Sequence, residues 1–220
     1  MPIYGSIRIL SVHQHLSCLL LVAGAALAVL YGLRFATAEP SWAKTWVKTG
    51  SVVALALAAP GLGAPGLVTF GLWAGALGDF LLSRPNEKAF LAGMGAFAAG
   101  HIAYVVAFFV PVGMSGAILP ALPLLALGLS TEWWLAPHAG ALRWPVRGYV
   151  VVIIAMAIAA LTRGVSVPMM TAGAALFVLS DLMLAMDLFV LKPAPRWVGR
   201  ALWAAYWCGQ ALILMGSVGL

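Results

Sequence analysis

The sequence predicts an all-α protein, a polytopic membrane helix bundle of about eight transmembrane helices. Three observations predict it. Of the 220 residues, 64% are hydrophobic and 8% charged, with a mean hydropathy of +1.05, whereas soluble domains carry about 25% charged residues. The apolar residues gather into stretches close to the roughly 20 that a helix needs to cross hydrocarbon. The basic residues are scattered singly and fall between alternate stretches, which is how topology signals are distributed.

The first stretch, 14–33, precedes Ala36-Thr37-Ala38, which imitates a signal-peptidase site. The stretch is long for a signal sequence and Arg34 intervenes, so it is expected to remain as an uncleaved span. The second, 46–60, is the shortest, and Pro60-Gly61-Leu62-Gly63-Ala64-Pro65 makes a compact hairpin turn into the third, 66–83. Charges, prolines and glycines then delimit 89–110, 115–135, 146–162, 165–187 and 198–219. All belong to one transmembrane domain, 1–220.

Threading these spans up and down puts Arg34, Lys44, Lys48, Arg84, Lys88, Arg143, Arg147, Lys192, Arg196 and Arg200 on one side. Arg8 and Arg163 fall opposite. The positive-inside rule makes the first side cytoplasmic and both termini non-cytoplasmic; in a bacterium the protein would lie in the inner membrane. The net charge of +6 forms no stripe or cluster, which excludes nucleic acid as a partner.

The chain also reads as a duplication with halves 1–112 and 113–220. Aligning Asp79 with Asp181 brings Gly71 onto Gly173, Gly78 onto Ser180 and Leu82 onto Leu184. In the following helix AFAAGHIAY resembles AYWCGQALI, so His101 corresponds to Gln210. Four spans per half make this a 4+4 parallel repeat about an axis along the membrane normal.

Asp79 and Asp181 carry the functional signal. A carboxylate in hydrocarbon costs several kcal/mol unless it is neutralised, paired or solvated, so an intramembrane acid marks a site by default. Each lies about one helical turn before the cytoplasmic end of its span, roughly 5 to 6 Å deep. Lys48, Arg147 with Tyr149, and Arg200 open spans on that side, where cations suit a phosphate-bearing headgroup. A plain ion pair between Asp79 and Lys48, serving helix packing alone, is the competing explanation. Asp187 is closer to the interface and reads as a solvated residue. His101 and Tyr104 share one helix face, as do Tyr206 and Gln210, and either pair could serve interhelical hydrogen bonding.

Other chemistries find little support. His13, His15 and His138 are dispersed, there is no HExxH or CxxC, and no metal or other cofactor is expected. Cys18 and Cys208 are remote from each other, which indicates no disulfide framework. Gly71 to Gly75 and Gly93-Met94-Gly95 read as close helix packing, and the Trp residues near span ends as interfacial belts.

The order of these features resembles the lysoplasmalogenase, or YhhN-like, family of integral membrane hydrolases. The resemblance is carried by Lys48; by Gly78-Asp79 with Leu82; by Phe90, Gly93, Phe97, His101 and Tyr104; and by Tyr149 and Met156. It continues through Gly173, Phe177, Ser180, Asp181 and Leu184 to Tyr206 and Gln210. Thr49-Gly50 departs from it, where family members often carry proline and leucines. What it implies is metal-independent cleavage of the vinyl ether bond of a lysoplasmalogen-type lysolipid, with water, within the membrane lipids. It implies Asp79 and Asp181 as catalytic, and Lys48, His101, Tyr104, Tyr149 and Gln210 as substrate-binding or orienting. The rival reading is a proton-coupled transporter or carrier, since repeats with intramembrane acids are also found there.

Overall fold

The computed structural model describes residues 3–110, 114–191 and 195–219. Among these residues there are eight α-helices and no strand: α1 Ile3–Leu30, α2 Trp42–Gly61, α3 Gly66–Leu82, α4 Glu87–Phe108, α5 Met114–Trp134, α6 Arg143–Leu161, α7 Pro168–Ala185 and α8 Arg196–Ser217. Their limits follow the predicted spans within a few residues except at the start. There α1 reaches back to Ile3, because polar residues such as His13 and His15 interrupt the hydropathy without interrupting the helix. Lys192, counted above among the basic residues, lies outside the described residues.

Among the described residues, five helical segments are long and apolar enough to cross a membrane: Val12–Phe35, Glu87–Phe108, Met114–His138, Gly140–Leu161 and Pro168–Val190. The apolar α3 is shorter. In α2 and α8 the hydropathy is diluted by polar side chains that face inward, including Thr45, Thr49 and Ser51 on α2 and Gln210 on α8. Leu119, Leu129, Trp133 and Trp144 stand exposed on the outside, giving the bundle the apolar surface that lipid requires.

Local chemistry sets the helix starts. Ser41 Oγ accepts the Lys44 N–H at 3.1 Å to open α2, and Asn86 Oδ1 accepts the Ala89 N–H at 2.8 Å to open α4. Pro168 occupies the first turn of α7, where its missing N–H costs nothing. The α2–α3 turn needs a left-handed residue, which Gly63 supplies at φ 79°. Two helices end in π-helical turns, α1 at Tyr31–Phe35 and α7 at Met186–Val190.

Helices α3 and α4, and α7 and α8, form the most extensively packed pairs. Each pair crosses at glycine. A Cβ placed on Gly100 would sit 3.1 Å from the Gly71 carbonyl oxygen, and one on Gly209 would sit 3.0 Å from that of Gly173. Glycine at these points lets the backbones approach. Trp203 Nε1 donates to the Ala28 carbonyl at 2.9 Å and ties α8 to α1. Helix α5 packs chiefly on α6 and carries Pro120 and Pro123 inside it.

Helices α2, α4, α6 and α8 begin, and α1, α3, α5 and α7 end, at one end of the bundle. That end holds Lys44, Lys48, Arg84 and Arg147, and is called the basic end below.

Candidate active site

A cavity of about 270 Å³ opens within the basic half of the bundle, and both Asp79 and Asp181 border it. Asp79 reaches it from the last turn of α3 and Asp181 from the last turns of α7.

Their surroundings differ. Asp79 is 1% exposed, and each of its oxygens is engaged: Lys48 Nζ lies 2.9 Å from Oδ1, and the Tyr206 hydroxyl donates to Oδ2 at 2.8 Å. Asp181 is half-buried. The Tyr149 hydroxyl donates to its Oδ2 at 2.6 Å, while Ser180 Oγ reaches Oδ1 only at 3.4 Å, with its firmer bond to the Phe177 carbonyl at 3.0 Å. One acid is therefore matched by a cation, and the other by a neutral phenol. A paired buried charge is tolerated where a single one is not, so Lys48 is what allows Asp79 to sit so deep.

Of the sequence-predicted residues, the structure brings Lys48, Asp79, Tyr149 and Asp181 to the cavity wall. His101, Tyr104 and Gln210 do not line it; all three are buried behind it. The Tyr104 hydroxyl donates to Gln210 Oε1 at 2.7 Å, and the Gln210 amide lies against the Tyr206 hydroxyl. The His101 ring packs edge-on against Phe177 and Tyr149, with centroids 4.5 and 5.6 Å away. Its nitrogens meet no hydrogen-bond partner among the described residues. These residues buttress the two phenols that hold the acids.

Two cations expected at the mouth are placed elsewhere. Arg147 forms a forked pair with Glu132, with Nε 2.8 Å from Oε1, and stacks over Trp144 at 4.8 Å. Arg200 is exposed and off the cavity wall. Lys48 is paired with Asp79 on the cavity wall.

Sequence reasoning passed over Tyr206 and Ser180 as site residues, although both line the cavity. A signal existed for Tyr206. It lies one turn nearer the basic end than Gln210 on the same face, at the depth of the aspartates.

An all-helical bundle with an apolar exterior, enclosing two carboxyl groups, a lysine and two phenols around one cavity, defines a polytopic membrane protein with an intrabundle acid site. The chain belongs to the YhhN family, whose model matches residues 43–217. It is 33% identical over 182 residues to the human (Homo sapiens) lysoplasmalogenase TMEM86B, covering 81% of this chain and 76% of that protein. The pig (Sus scrofa) lysoplasmalogenase TMEM86B is 33% identical over 84% of the chain and 80% of its own length. The cattle (Bos taurus) lysoplasmalogenase TMEM86A is 31% identical over 88% and 85% respectively. No solved structure matches the chain.

Proposed function

We propose that the chain is a membrane hydrolase that cleaves the vinyl ether bond of lysoplasmalogens, releasing a fatty aldehyde and glycerophosphocholine or glycerophosphoethanolamine. Family membership and the names of the relatives support the reaction. The observation that carries the mechanism is the unequal pairing of two carboxyl groups on one cavity, Asp79 with Lys48 and Asp181 with Tyr149.

Vinyl ether hydrolysis begins with proton transfer to the β-carbon of the C=C bond, which leaves an oxocarbenium ion at the ether-bearing carbon. Water adds to that carbon and gives up a proton. The resulting hemiacetal collapses as its C–O bond to glycerol breaks, the glycerol oxygen takes a proton, and the aldehyde forms. The reaction consumes one water and needs an acid and an anion side by side, as in paired-carboxylate enzymes. Asp181 is assigned the acid, because it lacks a cation and its Oδ1 is only weakly engaged. Asp79 is assigned the carboxylate that steadies the cationic centre and takes the proton from water, held ionised by Lys48 and aimed by Tyr206. Tyr149 aims Asp181, with His101 behind it.

All eight helices cross the bilayer in this reading, with both termini on the non-cytoplasmic side and the basic end in the cytoplasmic leaflet. The paired glycine crossings, Gly71 with Gly100 and Gly173 with Gly209, support the 4+4 duplication.

The test is to reconstitute the purified protein in bilayers, offer vinyl ether, alkyl ether and ester lysolipids side by side, and weigh the products by mass spectrometry. Aldehyde is expected from the vinyl ether alone. Asp181→Asn is expected to fold yet lose turnover by about 10²–10⁴-fold, and Asp79→Asn to lose as much per folded molecule while also losing stability, because it strands Lys48. Near-normal aldehyde release by both variants would reject the assignment.

A further inference from the structure

Most polar side chains on the cavity wall gather round the two acids. Lys48 and Tyr206 meet Asp79, while Tyr149 and Ser180 meet Asp181. The two that do not are Thr131 and Trp134, both on α5. Trp134 Nε1 donates to Ser130 Oγ at 3.1 Å, and an indole has no acceptor to offer. Thr131 Oγ1 donates to the Gly128 carbonyl at 2.6 Å, which uses its only proton and leaves its lone pairs. Among the described residues nothing donates to it in return.

Counted from the helix ends, Thr131 lies at the depth of the acids. Helices α3, α5 and α7 all finish at the basic end, with Asp79 and Thr131 three residues before Leu82 and Trp134, and Asp181 four before Ala185. At 1.5 Å per residue each is about 4.5–6 Å in from its helix end. The wall around them has few free donors. The hydroxyls of Thr131, Tyr149, Ser180 and Tyr206 all direct their hydrogens into the protein, and Lys48 alone keeps N–H groups beyond the one on Asp79. What complements Thr131 is therefore a ligand donor. A hydroxyl group qualifies and a phosphate oxygen does not. In a vinyl ether lysolipid the free glycerol hydroxyl sits on the carbon next to the one that bears the ether oxygen, so with the vinyl group at the acids it stays close to their layer.

We infer that Thr131 is a specificity-determining residue whose Oγ1 accepts a hydrogen bond from the free glycerol hydroxyl of the lysolipid. This rests on the reading of the site as an ether-lipid hydrolase and adds which group of the lipid is recognised besides the bond that reacts. The free hydroxyl is what separates a lysolipid from its doubly substituted parent, so a single threonine opposite the acids lets the cavity tell them apart. A neutral hydrogen bond of this kind is worth up to about tenfold in kcat/KM. Removing one partner leaves the other desolvated among apolar residues, whereas removing both comes close to neutral. The threonine and the hydroxyl are therefore coupled, and that coupling can be measured.

The experiment uses the full chain in lipid nanodiscs and pairs of lysolipids that differ only in whether the middle glycerol carbon carries a hydroxyl or a hydrogen. Aldehyde release from the vinyl ether pair gives kcat/KM. Thermal-shift titration with the matching saturated alkyl ether pair, which binds without being cleaved, gives affinity. Wild type is expected to prefer the hydroxyl lipid by about tenfold in both readouts, and Thr131→Val to treat the two alike within about twofold. Thr131→Ser, which keeps the acceptor, is expected to keep the preference. The intrinsic reactivities of the two lipids cancel between wild type and variant, and a purely structural role for Thr131 would lower both lipids equally and leave the ratio in place. Should Thr131→Val not fold, Thr131→Ala makes the same comparison. No preference in wild type, or an unchanged preference in a folded variant without the hydroxyl, overturns the inference. Absence of aldehyde from both vinyl ethers, with a binding preference that Thr131→Val abolishes, would reject the reaction while leaving the hydroxyl contact in place.

Discussion

Lys48 and Asp79 form an ion pair of 2.9 Å between α2 and α3, with side-chain exposures of 19% and 1%. Removing one partner strands the other, which costs about 3–5 kcal/mol for a buried pair, whereas replacing both with apolar residues comes close to neutral. Lys48→Met is therefore expected to lower stability by about 3 kcal/mol or more, and Lys48→Met with Asp79→Leu to recover most of it. Thermal unfolding in detergent measures both. The double variant is expected to be inactive, which separates the packing role of the pair from its chemical one.

Tyr149 and Tyr206 each donate a short hydrogen bond to one of the acids. Hydrogen bonds to charged groups contribute about 1.5–3 kcal/mol, equivalent to roughly ten- to a hundredfold in rate at 1.36 kcal/mol per decade. Tyr149→Phe and Tyr206→Phe are expected to lower kcat by that factor with KM nearly unchanged. Steady-state kinetics on a vinyl ether lysolipid distinguishes this from a binding role, which would raise KM.

Tyr104 sits behind the wall and bonds Gln210 at 2.7 Å without touching the cavity. Tyr104→Phe leaves Gln210 Oε1 short of a donor and is expected to cost about 1–3 kcal/mol of stability. The kcat of the folded fraction should stay within a few-fold of wild type. A large rise in KM would restore Tyr104 to the substrate-binding role suggested by sequence.

Glycine substitutions divide by what their new methyl group meets. Gly173→Ala would place Cβ 2.8 Å from both the Gly209 oxygen and the Ile213 nitrogen, backbone atoms that cannot rotate away. It is expected to destabilise by about 1–3 kcal/mol, the cost of overpacking. Gly95→Ala meets nothing within 4 Å and is expected to be neutral or stabilising by up to about 1 kcal/mol, from helix propensity. Comparing the unfolding temperatures of the two variants checks both statements.

The proposed orientation is tested with reporters that become active on one side only. A reporter active in the cytoplasm is expected to work when inserted between α3 and α4 and to fail at the C terminus. The opposite pattern would invert the bundle and move the site to the other leaflet.

Much of this architecture could be read from the chain because hydrocarbon imposes length and composition on every helix, and the two acids stand out against it. The α2–α3 hairpin was visible in Pro60 to Pro65, and the convergence of the aspartates followed from their equal depth. Partnership was less legible. Which cation meets Asp79 depends on how α2 rotates about its axis, and the hydropathy pattern does not record that rotation. Arg147 looked like a mouth residue until Glu132, on the neighbouring helix, proved to hold it. Tyr104 and Gln210 signalled a polar face, but a face shared with the protein's own interior reads the same in sequence as one shared with a ligand.

The cavity, where Lys48, Asp79 and Asp181 stand among mostly apolar residues, has a consequence for what happens after cleavage. In the proposed reaction the scissile bond lies beside the carboxyl groups, and it joins the water-soluble and oil-soluble parts of the lipid. Cutting there leaves two fragments with opposite solubilities: one departs through the mouth into the aqueous phase, while the other dissolves in the surrounding bilayer. Neither has reason to linger, so turnover is expected to be limited by the arrival of fresh lipid or by the chemical step, with little inhibition by accumulated product.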